Sequence, residues 1–127
     1  MRAMRTAVAI GAAGAVGALA RWGLGSWFGQ RFPTFPWGTL VINVSGSFVL
    51  GLLFVVLVER GIGSSTTRLA LMTGLLGAYT TFSTFSLETF RLFEVGSARA
   101  ALSNIALSVV LGLVGAWAGI VTGRAIW

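Results

Sequence analysis

The chain has 127 residues, 56% of them hydrophobic and only 9% charged, whereas a soluble domain carries about a quarter charged residues; a bilayer core about 30 Å thick takes about 20 apolar helical residues per crossing, so four crossings use nearly the whole chain and leave no soluble domain. The net charge of +6 sets nine arginines against Glu59, Glu88 and Glu94, and because the arginines stand singly at the ends of apolar stretches they read as headgroup and topology signals, not as a nucleic-acid surface. Cysteine, histidine, aspartate and lysine are absent, which excludes disulfides, thiolate or imidazole metal ligands, Ser-His-Asp chemistry and Schiff-base lysines, and leaves a poor toolkit for an enzyme.

The N-terminal run "MRAMRTAVAIGAAGAVGALA" mimics a secretory signal, with two arginines, an apolar core and a small-residue end. Apolarity continues to Phe28, so the run reads as the first membrane helix, from about Thr6 to Phe28, with Arg21 in its last turns. "GQRFPTFP" is a loop, since Pro33 and Pro36 remove backbone donors and bias the residues before them away from helix. A second helix is expected from about Trp37 to Val58, ended by "ERGIGSSTTR". A third follows from about Leu69 to Phe90 and a fourth from about Ala98 to Gly123. Trp22, Trp27, Trp37 and Trp127 fall near the expected ends, as an interfacial belt places them. The fold class is therefore an all-α integral membrane protein, one four-helix domain over residues 1–127.

An even number of crossings puts both termini on one side. Arg2, Arg5, Arg60, Arg68 and Arg124 then oppose Arg21, Arg31, Arg91 and Arg99. So small a difference predicts insertion in both orientations and an antiparallel dimer; the alternative is a single orientation won on a slight bias.

Polar groups buried in lipid without partners cost several kcal/mol, so they face protein or water. The second helix stacks Thr39, Asn43, Ser47 and Gly51 at i, i+4 intervals, and the fourth stacks Asn104, Ser108 and Gly112, followed by Gly115 and Gly119. The glycines read as packing seams. For Asn43 and Ser108 two readings stand: hydrogen bonding between helices, or donors to a permeating species.

The third helix carries the oddity, "GAYTTFSTFS" at residues 77–86. From Tyr79 to Ser86 every side chain bears a hydroxyl except Phe82 and Phe85. Gly77 with β-branched Thr80 and Thr81 makes a weak helix near the expected midplane, so a break opening at Gly77 is predicted. Broken helices at that depth line cavities or lie buried in protein, and they expose free carbonyls that suit a hard cation and free N–H groups that suit an anion. On a continuous turn Phe82 and Phe85 share a face, flanked by Thr81 and Glu88 on one side and Ser86 on the other. Core packing is the ordinary role of such a pair; here the hydroxyl flanks point instead to ring edges, which are positive, attracting a small anion without binding it tightly. Arg21 is placed to draw anions into a vestibule.

These residues resemble the small bacterial fluoride channels, the Fluc or CrcB family: "GAAGAVGALARW", "WGTLVINVSGSFVLG", "TGLLGAYTTFSTFSLET" and "SNIALSVVLG" carry the likeness across the whole chain. The resemblance implies an antiparallel, dual-topology homodimer with two pores that passively exports fluoride across the bacterial cytoplasmic membrane, in contact with membrane lipid. It implies a non-transported Na+ at the dimer centre, held by backbone carbonyls of Gly77 and Thr80. It also implies fluoride contacts at Phe82, Phe85, Asn43 and Ser108, with Arg21 at the first helix and Thr81, Ser83, Thr84 and Glu88 in the same motif. Some relatives carry glycine at the position of Ala78, and some carry tyrosine at the position of Asn104, where an aromatic contact to the pathway would become an amide contact. Two other readings compete: a proton-coupled small multidrug exporter, which needs an acidic residue that the first helix lacks, and a non-transporting structural subunit.

Overall fold

A computed structural model describes residues 1–126, and among them every regular element is helical. Trp127, counted above with the interfacial tryptophans, lies outside the described residues. Helix α1 is Arg2–Arg31, four residues longer at its start and three at its end than the expected Thr6–Phe28. Helix α2, Trp37–Glu59, is α-helical to Leu53 and widens into a π-helical turn over Phe54–Glu59. The third expected helix is two. Helix α3 covers residues 65–79, with Leu69–Leu76 in π geometry, and α4 is Phe82–Glu94. Helix α5 is Ala98–Ile126.

Local chemistry sets most of these limits. The prolines expected to break the chain do so, leaving residues 32–36 as the α1–α2 loop. Gly61 and Gly63 supply the positive φ angles, 67° and 87°, that reverse the chain before α3. The Ser64 side chain then accepts from the Thr67 N–H at 3.1 Å and caps α3. At the other end Gly96, with φ 81°, closes α4: its N–H donates to the Phe93 carbonyl and the Ser97 N–H donates to the Leu92 carbonyl, the paired bonds of a Schellman stop.

Helices α1, α2 and α5 are each long and apolar enough to cross a bilayer. They show it on their surfaces, where Val8, Val16, Leu19, Leu113, Trp117 and many other large apolar residues are exposed. The chain is thus a multi-pass membrane protein. In lipid the hydrophobic effect does not drive helices together, so close packing must. The glycine seams provide it. A Cβ at Gly17 would overlap the Leu75 carbonyl and one at Gly74 would press on Ile10, which locks α1 to α3. Cβ atoms at Gly51, Gly115 and Gly119 would strike the backbone carbonyls of Ala116, Val44 and Phe48, which locks α2 to α5. Gly119→Ala is therefore expected to lower stability by about 1–3 kcal/mol through overpacking, while Gly23→Ala, with nothing within 4 Å, does not lower it, since alanine favours the helix. Thermal unfolding of the two variants in detergent checks this.

The Thr6 and Thr66 hydroxyls meet at 2.9 Å and Arg124 Nε donates to Glu59 Oε2 at 3.1 Å. These bonds gather the starts of α1 and α3 and the ends of α2 and α5 at one end of the bundle. The loops at residues 32–36 and 95–97 edge a common cleft at the other.

Candidate functional site

Between α3 and α4 the chain is extended for two residues: Thr80 has φ −81° and ψ 154°, Thr81 φ −150° and ψ 111°. The break expected to open at Gly77 lies three residues later, and Gly77 itself is helical, with φ −62° and ψ −35°. The reason is across the interface, on α2. Asn43 Oδ1 accepts from the Thr81 N–H at 2.7 Å and Asn43 Nδ2 donates to the Thr81 carbonyl at 3.0 Å. One side chain thus takes both backbone groups that a continuing helix would use, and two adjacent β-branched residues adopt the extended form readily. Thr81 then caps α4, its hydroxyl accepting from the Thr84 N–H at 3.1 Å. Gly46 makes the space, since a Cβ there would overlap Thr80 Cγ2.

The carbonyls released by the break have different fates. Arg21 Nε donates to the Ala78 carbonyl at 3.0 Å, so this arginine reaches the break itself and does not stand at the rim. The Thr80 N–H and hydroxyl both return to the Leu76 carbonyl, at 3.0 and 2.9 Å. Among the described residues no hydrogen bond ends on the carbonyl of Gly77 or of Thr80.

Two clefts meet at this point, and Thr81 lines both. The larger, about 800 Å³, runs from the 32–36 and 95–97 loops down to Arg21, Thr39, Thr84, Glu88 and Arg91. Within it Thr39 Oγ1 donates to Glu88 Oε1 at 2.7 Å. The smaller, about 340 Å³, is lined by Asn43, Ser47, Gly77, Thr80, Phe82, Phe85 and Ser108. Its two rings lie 5.7 Å apart at 51°, with Phe82 79% exposed and Phe85 half-buried within the chain.

The expected site residues therefore fall into three groups. Asn43, Phe82, Phe85 and Ser108 share the smaller cleft with Gly77 and Thr80, whereas Arg21, Thr84 and Glu88 line the larger one. Thr81 does not flank the phenylalanines on a helical face, because it precedes the helix. Ser83 and Asn104 line neither cleft. Ser83 is exposed, and Asn104 is only 1% exposed, sealed between α4 and α5. Asn104 Nδ2 donates to Thr89 Oγ1 at 2.9 Å, Thr89 donates to the Phe85 carbonyl at 2.7 Å, and Ser108 Oγ donates to Asn104 Oδ1 at 3.4 Å.

Residues 8–120, which contain both clefts' polar residues and the break, match the family described as CrcB-like protein, Camphor Resistance (CrcB). The chain belongs to the CrcB-like family. It is 52% identical over 122 residues to a protein of Methylococcus capsulatus, covering 93% of this chain and 51% of that protein, so the chain spans about half the length of this relative. A Geobacter sulfurreducens protein is 47% identical over 122 residues, covering 95% of this chain and 98% of the relative. One from Hydrogenovibrio crunogenus is 42% identical over 121 residues, covering 92% and 89%. All three relatives bear the name "Fluoride-specific ion channel FluC".

Some functional partners in this CrcB-like chain escape sequence reasoning. Thr39 was visible on the polar face of α2, but only its bond to Glu88 gives it a place in the larger cleft. Thr89 is one threonine among many, and Tyr79 meets Ser45 at 2.9 Å across the α2–α3 contact. The seven-residue spacing of Phe82 and Thr89, which puts them on one helical face, was the available signal.

Proposed function

We propose that the chain forms a fluoride-selective channel for passive export, and the observation that carries this is the smaller cleft. There Phe82 and Phe85 stand beside Asn43 and Ser108, with no cationic side chain among the lining residues. Ring edges and neutral donors attract a small anion weakly enough to release it, which a conducting path requires and a buried arginine would defeat. The relatives' names give the anion as fluoride.

In this reading the channel is an antiparallel, dual-topology homodimer with two pores, in the cytoplasmic membrane of a bacterium. Helices α3 and α4 together make the fourth crossing, with the break at the midplane. The largely exposed Phe82 supports a second chain as part of the wall, since a permeation path needs enclosure on that side. The unclaimed Gly77 and Thr80 carbonyls, both on the smaller cleft, fit a non-transported Na+. A two-fold axis through that point doubles two oxygens to four, a neutral cage for a hard cation. The ion's contribution is to join two broken helices whose carbonyl ends otherwise repel.

Reconstitution into liposomes loaded with fluoride or chloride tests the function. Efflux of fluoride exceeding that of chloride by about a hundredfold or more is expected, with no dependence on a proton gradient. Folded protein that passes no fluoride overturns the proposal. The sodium reading has its own test: exchange of Na+ for a larger monovalent cation is expected to reduce fluoride efflux and weaken the dimer on size exclusion, because a carbonyl cage selects by size. Equal behaviour in both salts removes the cation from the account.

A further inference from the structure

The chain Phe85 carbonyl, Thr89 hydroxyl, Asn104 amide, Ser108 hydroxyl runs through the α4–α5 contact and connects two walls of the smaller cleft. We propose that Asn104 is a positioning residue for anion passage: it sets the Phe85 turn and the Ser108 hydroxyl relative to each other without touching the ion. The inference rests on the channel reading above.

Its burial excludes direct contact from within this chain, since the side chain is only 1% exposed and absent from both cleft linings. The direction of its bonds gives it leverage. An amide has a donor end and an acceptor end that cannot be exchanged without turning the whole group. Asn104 spends its donor end on Thr89, whose own proton goes to the Phe85 carbonyl, so α4 is tied at the turn bearing the second ring. Its acceptor end takes the Ser108 proton at 3.4 Å, a long bond. Ser108 is therefore held by a weak link, free to turn its proton toward an anion in the cleft and to recover it afterwards. A hydroxyl locked in a short bond elsewhere would have nothing to offer a passing ion; one with no partner would have no resting orientation.

The amide is thus a relay whose tight half holds the α4 turn that bears Phe85 against α5 and whose loose half resets the donor. A buried network of this kind acts as a unit, so removing either of two linked members should produce the same defect and removing both should add little. Leucine at position 104 keeps the bulk and loses both bonds. Valine at position 89 keeps the shape and loses only the hydroxyl.

Single-channel fluoride recording in planar bilayers is the decisive measurement, because a purely structural defect lowers the number of active channels and leaves the current through each one unchanged. Thr89→Val and Asn104→Leu are each expected to cut unitary current by about threefold or more, the double variant to fall no further than the lower single, and Thr89→Ser to stay near wild type. Wild-type unitary current in Thr89→Val overturns the relay, and that variant decides alone if Asn104→Leu yields no channels. Absence of fluoride current in the unmodified protein would instead overturn the channel reading, so the two failures are distinct.

Discussion

Replacing Asn43 with leucine is expected to abolish fluoride flux and to cause the largest stability loss of any single polar substitution in the bundle. The two bonds of Asn43 to Thr81 are a complete substitute for the helical hydrogen bonds that the break removes. Thr81 is 8% exposed, so without the amide its N–H and carbonyl have little access to water. Each orphaned group costs about 1–3 kcal/mol. Aspartate separates the two halves of the interaction: its carboxylate still accepts from the Thr81 N–H but cannot donate to the carbonyl, and it places a negative charge beside the anion path. Apparent melting temperature in detergent should therefore fall in both variants, and flux is lost in both. An aspartate variant that conducts fluoride at the wild-type rate would show that neither the carbonyl bond nor the neutrality of this position matters.

Phe82→Ile and Phe85→Ile should each reduce fluoride efflux by about twofold to tenfold and leave a folded protein. The rings lie 5.7 Å apart on one side of the smaller cleft, and isoleucine preserves apolar bulk while removing the positive ring edge. Aromatic edge interactions are worth about 0.5–1.5 kcal/mol each, and about 1.4 kcal/mol is tenfold in rate. Phe82 should show the cleaner effect, because its 79% exposure means that the fold of a single chain gains little from the ring. Efflux at wild-type rate in both variants would return the pair to a packing role.

Much of this architecture was legible in the chain before any coordinates. Charge-free windows located the three long apolar helices because apolar length is the property a bilayer reads, and Pro33 and Pro36 marked a loop for reasons of backbone geometry alone. Some helix ends were less legible, since the flanking arginines that close a hydropathy window do not end a helix: α1 takes in Arg2, Arg5 and Arg31, and α5 continues past Arg124 to Ile126. The break was misplaced for a related reason. Its location is decided by Asn43, 38 residues away in sequence, and local propensity at Gly77 carries no information about that partner. Arg21 was read from position as a vestibule residue; it lines the larger cleft, and its bond to the Ala78 carbonyl is a contact that position alone does not reveal. Asn104 was placed on the pathway by the resemblance, through the tyrosine that some relatives carry there; its amide lies between α4 and α5, bonded to Thr89 and Ser108.

The extended link at Thr80 and Thr81 has one more consequence, which concerns length and not chemistry. Each residue added to or removed from a helix turns everything beyond it by about 100°. With α3 locked to α1 through Gly74 and α5 fixed against α2 through Gly119, the two-residue link sets the angular phase at which α4 meets its partners Asn104 and Thr39. A three-residue link would have kept every hydroxyl and both rings and swung them off the cleft. At this point the spacing of the chain is constrained as tightly as its composition, and homologous chains should tolerate substitution there more readily than insertion.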